Sequence, residues 1–238
     1  MSSTIIVKRD GRHESADKEK IANRIQNWTG SLPAETVEQL IEKIWTSLPS
    51  GAIAAADVCR LIARTAASMP STLPIANRVE RTRLEKDITH SLVEVWRLLA
   101  EEHTLDETLL PFVVQHQVIL EKAVDTATED AEWTFFGLTT LQKSYLLRTR
   151  AGQIVESPSL LFMRVSIALH APRLDKVLDT FRLLTRRECM HATPTLFNAG
   201  TRRPQLSSCF LTNIKADSIE GIFDTLKDCA EISRHSGG

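Results

Sequence analysis

Apolar residues recur at three- and four-residue spacing through most of this chain, and proline or glycine closes each run. Val37, Leu40, Ile41, Ile44, Trp45 and Leu48 share one helix face before Pro49-Ser50-Gly51. Val58, Leu61, Ile62, Thr65 and Met69 share another before Pro70 and Pro74. Ile21, Ile25 and Trp28 mark an earlier helix that Asp17 would cap. A spacing of 3.6 places such residues on one face, so the chain must bury helical stripes against one another. A longer helix is expected from about Ile75 to Leu99, with a domain boundary near residue 90.

The second half continues the pattern. Arg150-Ala151-Gly152-Gln153 reads as a turn, and Pro158 opens a helix through Leu161, Val165 and Leu169. Leu174, Val177, Leu178, Phe181 and Leu184 mark the next. From His191 to Pro204 the texture turns to Thr, Pro, Asn and Gly, which predicts loop. Ser208 to Ile214 reads as a short apolar strand. Helical spacing then resumes through Ile219, Ile222, Phe223, Leu226 and Ala230. At the other end, Thr4 to Lys8 is β-branched and apolar. Asp10-Gly11 supplies a hairpin turn, and His13 and Glu14 begin a return strand. The expected class is therefore mainly α, in the α+β sense.

Composition removes several alternatives. The 238 residues carry 29 Lys plus Arg against 30 Asp plus Glu, so no basic field recruits nucleic acid. No apolar run approaches the ~18 residues of a membrane helix, and Met1 to Arg12 has no signal-peptide core. The four cysteines, at 59, 189, 209 and 229, form no C-x-x-C pair, which disfavours a zinc ribbon or other metal site. A reducing, cytoplasmic setting is expected.

Two constellations carry chemistry. The first is Val7-Lys8-Arg9-Asp10-Gly11-Arg12, followed by Glu14 and Lys18 or Lys20. Cations crowded on one hairpin suit a polyphosphate, with Lys as a point charge and Arg as a fork, although charge runs more often form solvated surface. The second is His191-Ala192-Thr193-Pro194-Thr195-Leu196-Phe197-Asn198-Ala199-Gly200-Thr201, then Ser207-Ser208-Cys209-Phe210, Asp217-Ser218-Ile219-Glu220-Gly221 and Ser236-Gly237-Gly238. A lone Cys209 would usually be a small buried hydrophobe. Cys229, on the apolar face of the last helix, is expected in the core, and Tyr145 in packing.

The first constellation, with Lys20-Ile21 and Arg24-Ile25, resembles the ATP-cone, a small regulatory domain. The second resembles the large catalytic subunit of class I ribonucleoside-diphosphate reductase. Phe136-Gly137, Thr140-Leu141, Ser144-Tyr145-Leu146-Leu147 and Met163-Arg164-Val165-Ser166 match the same subunit. The resemblance implies an ATP-cone-like regulatory domain over 1–90, a helical N-terminal domain over 91–207, and the first strand and helix of an incomplete α/β barrel over 208–238. It implies that Lys8, Arg9, Glu14 and Lys20 hold ATP or dATP, and that Cys209 is the first thiol of a redox pair. Thr193, Ser208 and Gly237 would hold substrate. Asp217, Ser218 and Ile219 would form one wall of a site for deoxynucleoside triphosphate effectors, with Asp217 also the N-cap of the last helix and Glu220 completing a capping box.

The implied activity is reduction of ribonucleoside diphosphates to deoxyribonucleoside diphosphates by radical chemistry. The implied partners are a small subunit carrying the radical cofactor, a second large subunit, and thioredoxin or glutaredoxin. Ala55 and Cys59 stand where the family places polar nucleotide contacts, so weak or absent nucleotide binding is expected. The 238 residues contain one credible barrel strand, so the chain is expected to be an N-terminal part, inactive by itself. The competing reading is a non-enzymatic nucleotide-sensing cone.

Overall fold

The computed structural model describes residues 4–28, 32–88, 90–129, 132–235 and 237–238. Two compact units emerge: Met1–Ile88 with Glu132–Leu141, and Thr89–Ala131 with Gln142–Gly238.

The first unit opens on β1 (Thr4–Val7) and β2 (His13–Ser15), joined by the hairpin whose Gly11 takes φ +80°. Glycine reaches that left-handed conformation without a Cβ clash. Helix α1 (Lys18–Gln26) is capped by Asp17, whose carboxylate accepts from the backbone N–H of Glu19 and Lys20. Helix α2 (Ala34–Thr46) buries Val37, Leu40, Ile41 and Ile44, the stripe expected from spacing. Strand β3 (Gly51–Ala54) follows, then α3 (Ala55–Ala67) and α4 (Leu73–Asp87). The sheet order is β2-β1-β3, with β1 antiparallel to β2 and parallel to β3. The third strand was not anticipated, because Pro49-Ser50-Gly51 read only as a helix break and Gly51–Ala54 is too short for a period. Ile25, Leu40, Ile44, Ala63, Ala66, Ile75 and Ala76 lie fully inside, and Phe135 joins this core from α8 (Phe135–Ser144).

The long helix expected over 75–99 is two helices. Helix α4 ends at Asp87, and α5 (Leu92–Glu101) starts afresh at Ser91. Ser91 accepts from the Glu94 N–H while the Glu94 carboxylate accepts from the Ser91 N–H, a reciprocal cap that begins a new helix. Thr89 lies outside the described residues.

The second unit continues with α6 (Leu110–Gln115) and α7 (Gln117–Glu129), then α9 (Pro158–His170) and α10 (Leu174–Thr185). Helix α9 is buried on every side from Pro158 to Ile167. That marks it as the central helix of the unit rather than an amphipathic cover. The 191–204 stretch, expected as loop, contains the short helix α11 (Thr193–Asn198), begun by Pro194 in its first turn.

Residues 208–214 form no strand. A strand needs a neighbour to satisfy its edge, and the pairing available among the described residues is a single closing contact. Phe210 N–H donates to the Gly238 carbonyl at 2.8 Å, and Gly238 N–H donates to the Ser208 carbonyl at 3.0 Å. Helix α12 (Ile219–Arg234) is capped by Ser218, which accepts from Gly221 N–H, and not by Asp217. One residue's shift removes Glu220 from the capping-box position.

Candidate functional sites

In the first unit a cavity of about 210 Å³ opens beside the hairpin, lined by Lys8, Glu14, Lys20, Arg24, Ala55 and Ile62 among others. Three of the four cone residues read from the sequence meet there. Lys8 sits 2.8 Å from Glu14, and Lys20 also pairs with Glu14. The two ammonium groups, Lys20 first, hold the Glu14 carboxyl down at about 2 from its ordinary 4.5.

Arg9 does not join them. It lies in the hairpin turn beyond β1, where strand alternation no longer applies, and its Nη2 lies 2.6 Å from Asp87 Oδ1. Arg12 is similarly committed, with Nε 2.7 Å from Asp10. The cavity wall formed by Ile6, Ile21, Ala55, Val58 and Ile62 is apolar. Ala55 is on that wall, whereas Cys59 points into the core at 5% exposure. Arg24 went unassigned in the sequence reading. Its signal was available: it lies one helical turn beyond Lys20 on α1, and its guanidinium stacks 5.3 Å from the Trp28 ring.

In the second unit a buried ion pair fixes the approach to Cys209. Arg164 Nε bonds Glu156 Oε1 at 2.7 Å, and both side chains are all but sealed from water. The same guanidinium donates to the carbonyls of Leu196 at 3.1 Å and Ala199 at 2.6 Å, tying down the end of α11. Gly200, at φ +81°, passes so close that a Cβ would lie 3.1 Å from Arg164 Cγ. From α11, Thr195 donates to the Leu206 carbonyl and Asn198 to the Gln205 carbonyl. Gln205 in turn donates to the carbonyls of Ser207 and His235. The segment entering Cys209 is thus held between α11 and the C-terminal end of α12.

Cys209 is exposed. Ser208 and Gly237, both read as substrate contacts, lie beside it through the Gly238 pairing. A Cβ at Gly237 would come within 2.6 Å of the Phe210 ring and 2.8 Å of Ile232 Cγ2, so any larger residue would have to displace those side chains. Thr193 sits on α11, with Oγ1 3.1 Å from the Tyr145 hydroxyl. Tyr145 packs its ring 4.7 Å from Phe197.

Asp217, Ser218 and Ile219 are exposed at the start of α12. Cys229, expected in the core, is exposed instead. Among the described residues its helix meets the 208–216 segment through Lys215 and Thr212, and Ile222, Phe223 and Leu226 are exposed as well. Cys189 is also exposed. No cluster of metal-ligating side chains occurs among the described residues, and no helix there is long and apolar enough to cross a membrane. A larger groove between α7 and α10, about 590 Å³, is lined by none of the candidate site residues read from the sequence, although Leu178 and Phe181 of the α10 stripe reach it.

The first unit thus presents a small cavity rimmed by cations, and the second presents an exposed thiol beside a buried ion pair. Residues 4–91 match the ATP cone domain family, and residues 131–204 match the all-alpha domain of ribonucleotide reductase. The ribonucleoside-diphosphate reductase large subunit of Plasmodium falciparum (isolate FCR-3 / Gambia) is 38% identical, over 98% of this chain and 30% of its own length. That of Caenorhabditis elegans is 38% identical over 100% of this chain and 32% of its own length. The Arabidopsis thaliana large subunit is 37% identical over 98% of this chain and 30% of its own length. The chain belongs to the ribonucleotide reductase large-subunit family, and it spans about 30% of the length of the curated relatives it matches.

Proposed function

We propose that this chain supplies the effector-binding cone, the helical domain and the first redox thiol of a ribonucleoside-diphosphate reductase large subunit. On this reading residues 1–90 are regulatory, 91–207 are the helical domain, and 208–238 lead into the catalytic barrel. Each turnover removes the ribose 2′-hydroxyl as water. Two thiols, Cys209 and a cysteine beyond this chain, give up two electrons and two protons and become a disulfide. Thr193, Ser208 and the backbone at Gly237 hold the diphosphate substrate. Asp217, Ser218 and Ile219 contact a deoxynucleoside triphosphate effector, and the cone takes ATP or dATP through Lys8 and Lys20. The radical comes from a small subunit, thioredoxin or glutaredoxin re-reduces the pair, a second large subunit completes the dimer, and the setting is the cytoplasm.

The observation that carries the reading is the exposed Cys209, flanked by Ser208 and Phe210, whose backbones both bond Gly238. A thiol that must meet substrate and partner needs that access. The test uses a subunit as long as the relatives, with small subunit and no external reductant. Alkylation of Cys209 should fall after one turnover, while Cys229 stays equally reactive and buried Cys59 stays protected throughout. Unchanged labelling of Cys209 after confirmed product formation removes it from the mechanism. The 238-residue chain assayed with small subunit should bind effector weakly and give no turnover.

A further inference from the structure

The hairpin cations all rest on carboxylates of their own unit: Lys8 and Lys20 on Glu14, Arg12 on Asp10, and Arg9 on Asp87. The last of these differs from the others. Asp87 stands 78 positions along the chain from Arg9, at the final residue of α4. It also takes a second cation, Arg83 Nη1, at 2.6 Å. Arg83 Nη2 lies 2.6 Å from Glu80, and those two side chains are 3% and 4% exposed. Asp87 therefore has one buried, fixed partner and one exposed, exchangeable partner. An acidic residue at a helix C-terminus meets the negative end of the dipole, so it needs cations nearby. Arg83 alone would still meet that need if Arg9 left. Removing Arg9 then strands no charge, and the exchange is inexpensive.

We propose that Asp87 is a positioning residue that holds Arg9 off the Lys8–Lys20 cavity and competes internally with a triphosphate for that guanidinium. The proposal rests on the nucleotide reading of the cavity and adds its regulation. Glu14 occupies the two lysines in the same way, so a polyphosphate reaches Lys8, Lys20 and Arg9 by exchanging the cone's own carboxylates for phosphate oxygens. Weak binding in the natural chain follows from this exchange, in addition to the apolar wall at Ala55. It also means that nucleotide arrival is felt at the last turn of α4, where the chain leaves the first unit.

The test measures binding of inorganic tripolyphosphate and of dATP to the 238-residue chain, to Asp87→Asn, to Arg9→Ala and to the double variant. Asp87→Asn should bind tripolyphosphate about fivefold more tightly, the scale of one exposed ion pair. The double variant should bind no better than Arg9→Ala. Tripolyphosphate binding by the natural chain with no gain in Asp87→Asn overturns the proposal and leaves the nucleotide reading standing. A gain for tripolyphosphate with no dATP binding in any chain supports the proposal and overturns the nucleotide reading. No binding of either ligand to any of the four chains overturns both. Should Asp87→Asn fail to fold, the Arg9 Nε–H resonance of the natural chain decides. It should move on titration with tripolyphosphate, and a resonance unchanged at saturation overturns the proposal.

Discussion

The cone and the helical unit each place arginine against carboxylate, with opposite consequences. Around the cone's hairpin the pairs are at the surface and join flexible side chains, so a ligand of the right charge can take their place; only Arg83 and Glu80 on α4 are sealed among the pairs described there. In the helical unit Arg164 and Glu156 are sealed inside; the guanidinium also donates to the Leu196 and Ala199 carbonyls, and the carboxylate accepts from the Leu147 N–H. That pair has no water-accessible alternative, so it acts as a strut. The same residue types are exchangeable when exposed and structural when buried, and the difference is desolvation.

The sharpest way to break the comparison is to remove Arg164. Arg164→Ala strands a buried carboxylate and frees α11, and we expect a loss of about 3–5 kcal/mol. Urea denaturation followed by circular dichroism measures it; a loss under about 1 kcal/mol would place the pair with the surface ones. The effect at Glu14 should be smaller and dependent on pH. Its carboxyl is held at about 2 in the fold against an ordinary 4.5. The stabilisation is therefore present above the ordinary value and is lost as pH falls towards about 2. The difference between the natural chain and Glu14→Gln should shrink over that interval, read from urea midpoints between neutral pH and the acid limit. Smallest of all is Lys18, whose Nζ lies 2.7 Å from Glu42 in the open. Lys18→Ala should change stability by no more than ~0.5 kcal/mol, and a larger loss would show that surface pairs in the cone are not all replaceable.

The helices were legible because their signals are local. Asp17, the stripe on α2, and Pro158 behind the Ser157 cap lie within a turn or two of what they specify. Strand β3 was not legible, since its only evidence is its pairing with β1, 47 residues earlier at Thr4 and Gly51. The site divides the same way. Lys8, Glu14 and Lys20 converge because hairpin and helix are adjacent in sequence. Arg9 leaves for Asp87 because of a contact that no local pattern encodes. Cys229 was misread for a related reason: an apolar helical face predicts burial only when another element covers it, and periodicity does not name the cover.

The two hydrogen bonds between Gly238 and the Ser208–Phe210 backbone join points 28 residues apart, counted from Phe210. Drawing such a loop shut costs about 3 kcal/mol in chain entropy, and two such bonds return about 1 kcal/mol each. The balance must come from α12 shortening the path and from Phe210 seating against Gly237. The closure of the thiol segment therefore rests on a narrow balance of free energy. The exchange of partners proposed for Cys209 would take place where the chain spends least to move.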